Sequence, residues 1–179
     1  LFSGSSQNFE LRDSVAYNAY YSFETYRIDS IDDVQFLDRL YSDDLGGDAR
    51  RVSLAGDRAY LSIELPSGDH AFRIVDISDP GNLRTVGNVI QVPSLIQDID
   101  IQGRYAYCAL EDNGLVIIDL ADVNALAIVG TVDLGYSGRR IQVQGPYAYV
   151  VDYYSGIYVV DISTPDALQI VGRFDDTSA

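Results

Sequence analysis

Ile157-Tyr158-Val159-Val160-Asp161-Ile162-Ser163 decides the reading of this chain, because its pattern already stands at Leu115-Val116-Ile117-Ile118-Asp119-Leu120-Ala121 and Phe72-Arg73-Ile74-Val75-Asp76-Ile77-Ser78. Each copy is a mainly apolar run, continuous in the two that start at Leu115 and Ile157 and interrupted by Arg73 in the one that starts at Phe72, rich in β-branched side chains and closed by an Asp just before a turn. A recurrence of about 42 residues marks a repeat architecture, in which one unit cannot bury its apolar faces alone.

The match extends outward on both sides. Upstream stand Gly56-Asp57-Arg58-Ala59-Tyr60, Gly103-Arg104-Tyr105-Ala106-Tyr107 and Gly145-Pro146-Tyr147-Ala148-Tyr149. Downstream, Leu83, Leu126 and Leu168 are each followed four residues later by Gly87, Gly130 and Gly172. A degenerate first copy runs from Phe9 through Tyr17 and from Tyr26 to Leu37, as expected of an end unit with different neighbours. The chain divides accordingly into an N-terminal extension, 1–7, and a single domain, 8–179, of four repeats at about 8–50, 51–97, 98–139 and 140–179.

The last copy shows the content of one unit. Ile141-Gln142-Val143 alternates, Gly145-Pro146 turns, Tyr147 to Val151 is aromatic and β-branched, and Ser155-Gly156 turns. Ile157 to Ile162 is a strand, Ser163-Thr164-Pro165-Asp166 turns, and Leu168 to Val171 leads into a fourth strand. No helical stripe persists anywhere. Four short strands per unit predict an all-β fold, a β-propeller of four four-stranded blades. Closure of the four as a ring is expected, since the first and last units keep one phase. The alternative is half of a larger propeller completed by another chain.

Ile74-Val75-Asp76-Ile77-Ser78-Asp79-Pro80 and Val159-Val160-Asp161-Ile162-Ser163-Thr164-Pro165 resemble the LVIVD repeat. The resemblance covers the last three units; the third has Asp122-Val123 where the others carry the turn Pro. It implies a β-propeller of the kind found mainly in secreted or surface-anchored prokaryotic proteins. The matching residues look structural, so the resemblance specifies a fold more than a function.

Composition narrows the partners. With 27 acidic and 12 basic residues the net charge is −15, and every basic residue is Arg. Phosphate backbones and anionic lipid need clustered cations, so nucleic acid is not an expected partner and neither is a membrane surface. No stretch approaches the roughly 18 apolar residues of a membrane span, so no insertion is expected. At 47% hydrophobic and 22% charged residues the chain should fold into a core. The single Cys108 lies in an alternating apolar run and reads as a buried, inert thiol. The chain starts at Leu1 and has no Met, which suggests a removed leader or a fragment.

Candidate chemistry is sparse. Asp76, Asp119 and Asp161 recur at strand ends and read as turn-fixing side chains. Asp32-Asp33, Asp43-Asp44 with Asp48, and Asp175-Asp176 offer oxygens for Ca²⁺ but lack any calcium-loop spacing, so solvated loops and no cofactor are expected. His70, the only His, reads as part of a polar loop with Ser67, Gly68 and Asp69, with no nucleophile pattern nearby. Tyr20-Tyr21 and Tyr153-Tyr154 could form a stacking surface. The one pattern that differs between copies lies just before each first strand: Gln7-Asn8, Arg50-Arg51, Gln97-Asp98 and Arg139-Arg140. Arg50, Arg51, Asp98, Arg139 and Arg140 are therefore the candidate ligand-binding residues at a channel mouth, since paired guanidinium groups fork onto carboxylate or phosphate. Internal neutralisation by Asp98 and nearby acids is the competing use. No catalytic residue and no metal ligand is assigned.

The expected function is a non-enzymatic extracellular or cell-surface interaction or structural module, engaging a protein partner or assembling with itself. The competing class is a hydrolase or lyase acting on an anionic or carbohydrate ligand at the channel mouth.

Overall fold

In the computed structural model, which describes residues 8–30, 32–135, 137–152 and 155–175, each repeat is one four-stranded antiparallel sheet in chain order. Blade 1 comprises β1 (Asn8–Arg12), β2 (Val15–Tyr20), β3 (Ser22–Ser30) and β4 (Asp33–Leu40). Blade 2 comprises β5 (Asp48–Ala55), β6 (Arg58–Glu64), β7 (His70–Asp76) and β8 (Arg84–Val92). Blade 3 comprises β9 (Ile96–Gln102), β10 (Tyr105–Leu110), β11 (Gly114–Asp119) and β12 (Ala127–Val132). Blade 4 comprises β13 (Gly138–Gln144), β14 (Tyr147–Asp152), β15 (Gly156–Asp161) and β16 (Gln169–Phe174).

Turn chemistry explains why three copies look alike and the first does not. Gly56, Gly103 and Gly145 open the two-residue turns between the first two strands of their blades, each with positive φ, as a type II′ hairpin requires. Blade 1 makes the same connection with Asp13 and Ser14, both at positive φ (49° and 61°), the type I′ pattern. The glycine signal is lost but the hairpin is kept.

One element departs from the all-strand expectation. Ser42–Leu45 forms a single helical turn, α1, after blade 1, with the Asp44 side chain accepting from the Tyr41 N–H at 2.9 Å. Leu45 is fully buried in the core and anchors the turn.

The chain forms two compact units, Leu1–Gln91 and Val92–Ala179. In the first, Tyr17, Ala19 and Phe23 of blade 1 pack against Val52, Ala59, Leu61 and Val75 of blade 2. In the second, Tyr107, Ala109, Leu115 and Ile117 of blade 3 pack against Ile141, Ala148, Val150, Tyr158 and Val160 of blade 4. Each large side chain buried this way stabilises its blade pair by about 1.5–3 kcal/mol. The turn that follows the third strand of the second blade docks on the preceding blade in both units. In the first, the Thr25 hydroxyl donates to the Pro80 carbonyl at 2.6 Å and the Asp38 carboxylate accepts from the Leu83 N–H at 2.6 Å. In the second, the Pro165 carbonyl comes so close to Gly130 that a Cβ there would lie 1.9 Å from its oxygen.

Candidate functional site

The polar pairs lie within the first strands rather than before them, and they are not equivalent side by side. The pairing of β5 with β6 passes from Ala49↔Ile63 to Arg51↔Ser62 and skips Arg50. In blade 4 it passes from Gly138↔Asp152 to Arg140↔Val151 and skips Arg139. In blade 3 it passes from Ile96↔Leu110 to Asp98↔Ala109 and skips Gln97. The first member of each pair is thus a β-bulge residue, which re-aims its side chain, and the second stays in register. In blade 1, Gln7 lies outside the described residues.

In the first unit Arg50 is fully occupied. Its Nε and Nη2 donate to Oε2 of Glu64 at 2.9 and 2.8 Å, and Nη2 lies 3.8 Å from Asp48. The guanidinium also covers the Tyr21 ring, 4.7 Å from its centroid, and Tyr21 meets Tyr20 edge-on at 4.5 Å. Glu64 is four-tenths exposed, so this ion pair is worth no more than about 1 kcal/mol, although the cation–π contact adds to it. Arg51 donates to the Arg50 carbonyl at 3.0 Å.

In the second unit the carboxylates of β9 reach the backbone of β13. Oδ2 of Asp98 accepts from the Ile141 N–H at 3.0 Å, and Oδ2 of Asp100 accepts from the Val143 N–H at 2.6 Å. Strand β13 is the edge of its sheet, so these N–H groups have no strand partner, and the preceding blade supplies acceptors for them. Oδ1 of Asp98 accepts from Ile99 N–H at 3.1 Å and stands 3.8 Å from Nη1 of Arg140. Burial pushes the Asp98 carboxyl above its usual range, and the Ile141 N–H, the Arg140 charge and the Ile99 N–H pull it back only in part. Arg139 and Arg140 are exposed.

Asp100 was not visible as a site residue, nor were Arg12 and Gln102, which act alike. The Arg12 guanidinium donates to the Gly56 carbonyl, and the Gln102 amide donates to the Gly145 carbonyl at 2.9 Å. In each unit, therefore, the last residue of the first strand holds the hairpin turn of the next blade. The signal was present in the spacing, because each acceptor lies about one repeat downstream.

The other candidates resolve locally. Asp76, Asp119 and Asp161 each accept from the N–H two residues on, Ser78, Ala121 and Ser163, all at 2.9 Å, which makes them turn-fixing groups. Asp119 also takes two bonds from Arg104. Of the acidic clusters, Asp44 caps α1, Asp48 accepts from Ser42 at 2.7 Å, Asp33 accepts from Gln35 at 3.3 Å and Asp175 pairs with Arg173 at 3.3 Å. Among the described residues no three His, Cys, Asp or Glu side chains converge as metal ligands. His70 is not in a loop: it opens β7 opposite Glu64. Cys108 is fully buried, and burial pushes its thiol far up. Tyr153, Tyr154 and Asp176 lie outside the described residues. No helix among the described residues is long and apolar enough to cross a membrane.

Consecutive four-stranded antiparallel blades whose first strands carry the polar contacts to the next blade define a β-propeller. The chain belongs to the LVIVD repeat family, whose model matches residues 46–90, 96–134 and 135–176. Blade 1, with its glycine-free turn, lies wholly outside the matched segments. Among solved structures the chain is similar to the computationally designed Ika4 protein, at 7% identity and a TM-score of 0.68 over 96% of this chain and 94% of that one. It is also similar to a proposed 6-phosphogluconolactonase from Bacteroides uniformis ATCC 8492 (13% identity, TM-score 0.73, 96% of this chain and 57% of that one). A second such protein, from Bacteroides fragilis NCTC 9343, matches at 14% identity and a TM-score of 0.73 over 93% of this chain and 54% of that one. The chain thus spans nearly all of the designed protein but only a little over half of either Bacteroides protein. At these identities the likeness shows the fold alone. No curated protein matches the chain.

Proposed function

We propose that this chain is a non-enzymatic interaction or structural module of the extracellular space or the cell surface, which engages a protein partner or assembles with itself. The observation that carries this reading is that side chains resembling a ligand site serve the scaffold: Arg50 is taken by Glu64 and Asp48, and Asp98 by Ile141 and Arg140. A surface of net charge −15 fits neither nucleic acid nor anionic lipid as a partner and keeps the module soluble. No bound cofactor is needed for any of these contacts.

The likeness to proposed lactonases makes lactone hydrolysis the specific competing activity. The test is turnover of 6-phosphogluconolactone and of a neutral lactone by the purified chain and by the Arg50→Ala/Arg140→Ala double variant. Rates equal to the uncatalysed background in both are expected. Turnover that the double variant abolishes would overturn the reading.

A further inference from the structure

Tyr21 stands in a backbone conformation that the other copies reserve for glycine. At the turn into the third strand Gly68, Gly114 and Gly156 take φ of 87°, 70° and 84°, whereas in blade 1 Tyr21 takes φ of 60°. Left-handed backbone crowds a Cβ against the following carbonyl oxygen and is an outlier for a bulky aromatic residue. The first unit holds Tyr21 there against that cost. Its N–H donates to the Ala49 carbonyl at 2.9 Å, its carbonyl accepts from the Ala49 N–H at 3.2 Å, and the Ser42 hydroxyl donates to the same carbonyl at 3.1 Å. Glycine would make this turn without strain, so the retained ring points to a use beyond the turn itself.

The ring is both fixed and open. The Arg50 guanidinium sits 4.7 Å from its centroid, Tyr20 meets it edge-on, and Tyr21 is still 47% exposed. The same guanidinium links the ring to two carboxylates, Glu64 at 2.8 Å and Asp48 at 3.8 Å, whose side chains are 39% and 35% exposed. Both bonds from Arg50 to Glu64 go to Oε2, which leaves Oε1 without a partner among the described residues. We propose that Tyr21 is a stacking platform for one pyranose ring of a neutral oligosaccharide, whose hydroxyls donate to Glu64 and Asp48. A pyranose has a C–H face that packs on an aromatic ring and a rim of hydroxyls suited to a few placed acceptors. An anionic ligand would meet two carboxylates and a chain of net charge −15, and a cationic one would meet the guanidinium already seated on the ring. The inference goes beyond a module whose partner is a protein, and it requires no catalytic group.

The test is titration calorimetry of the purified chain with cellohexaose, maltohexaose and hexa-N-acetylchitohexaose, beside an anionic oligogalacturonate and a cationic chitosan oligomer. Saturable binding of at least one neutral probe is expected. Tyr21→Gly removes the stacking contact and should weaken that binding at least about tenfold, whereas Tyr21→Phe keeps the ring and should change it by less than about threefold. Glycine occupies this turn in the other blades, so Tyr21→Gly should fold; Tyr21→Asn, whose side chain also tolerates left-handed backbone, replaces it should it misfold. Absence of binding to all three neutral probes, binding that survives Tyr21→Gly, or binding confined to the charged oligosaccharides would overturn the inference. None of these results bears on lactone turnover, so a failure here leaves the non-enzymatic reading standing, and lactone turnover would count against that reading alone.

Discussion

Asp98 in β9 accepts the backbone N–H of Ile141 in β13 at 3.0 Å, 43 residues further along the chain. One strand's side chain thus completes the hydrogen bonding of the next blade's edge, and two residues on Asp100 repeats the contact with Val143. A residue type that sequence patterning marks as candidate chemistry is used here to join two blades.

Acid dependence should separate the two kinds of carboxylate. Asp76, Asp119 and Asp161 are held below the usual range by hydrogen bonds, from Ser78, from Arg104 and from Ser163 respectively. With folded values below unfolded ones, the stability they contribute is present above about pH 4 and is lost as pH falls through the folded values. Asp98 runs the other way: burial raises it, so its contribution is present below about pH 4 and fades as pH rises through its folded value. Urea unfolding between pH 6 and pH 2 should show a shallower acid loss for Asp119→Asn and a steeper one for Asp98→Asn, relative to wild type.

Gly130→Ala should be costly although its backbone is ordinary. The added Cβ would meet the Pro165 carbonyl oxygen at 1.9 Å, a backbone atom that cannot step aside without shifting the blade 4 turn. We expect a loss of about 1–3 kcal/mol or more in chemical denaturation. The control is Gly145→Ala, whose Cβ meets nothing within 4 Å and which pays only for its positive φ.

Cys108 should be silent in the native protein. It is fully buried and its thiol is pushed far up by burial, so little thiolate is available. A disulfide-exchange dye should label no thiol in buffer and one per chain in denaturant; fast native labelling would contradict the placement.

Much of the fold was legible because its determinants are local. The Gly that opens the first hairpin of blades 2, 3 and 4 and the Asp that closes their third strands act within two or three residues, so they recur in the sequence of those three copies. Blade 1 was harder, since Asp13-Ser14 makes its turn with different residues and α1 spans a single turn, too short for periodicity to register. The site was legible only as residue types. A bulge is defined by the partner strand, so nothing in Arg50-Arg51 or Arg139-Arg140 separates the skipped residue from the paired one. The Glu64 partner of Arg50 comes from the neighbouring strand, and Asp100 needs its repeat-shifted partner Val143 to be recognised.

That the polar first strands join blades is tested most directly by urea unfolding of Asp98→Ala/Asp100→Ala beside Asp98→Asn/Asp100→Asn. The alanine pair strands the N–H groups of Ile141 and Val143 and should lose about 2–4 kcal/mol, whereas the asparagine pair keeps an acceptor at each position and should lose less than half of that. An alanine pair within about 0.5 kcal/mol of wild type would contradict the account, because carboxylates that can be removed without structural cost are not holding the blades together.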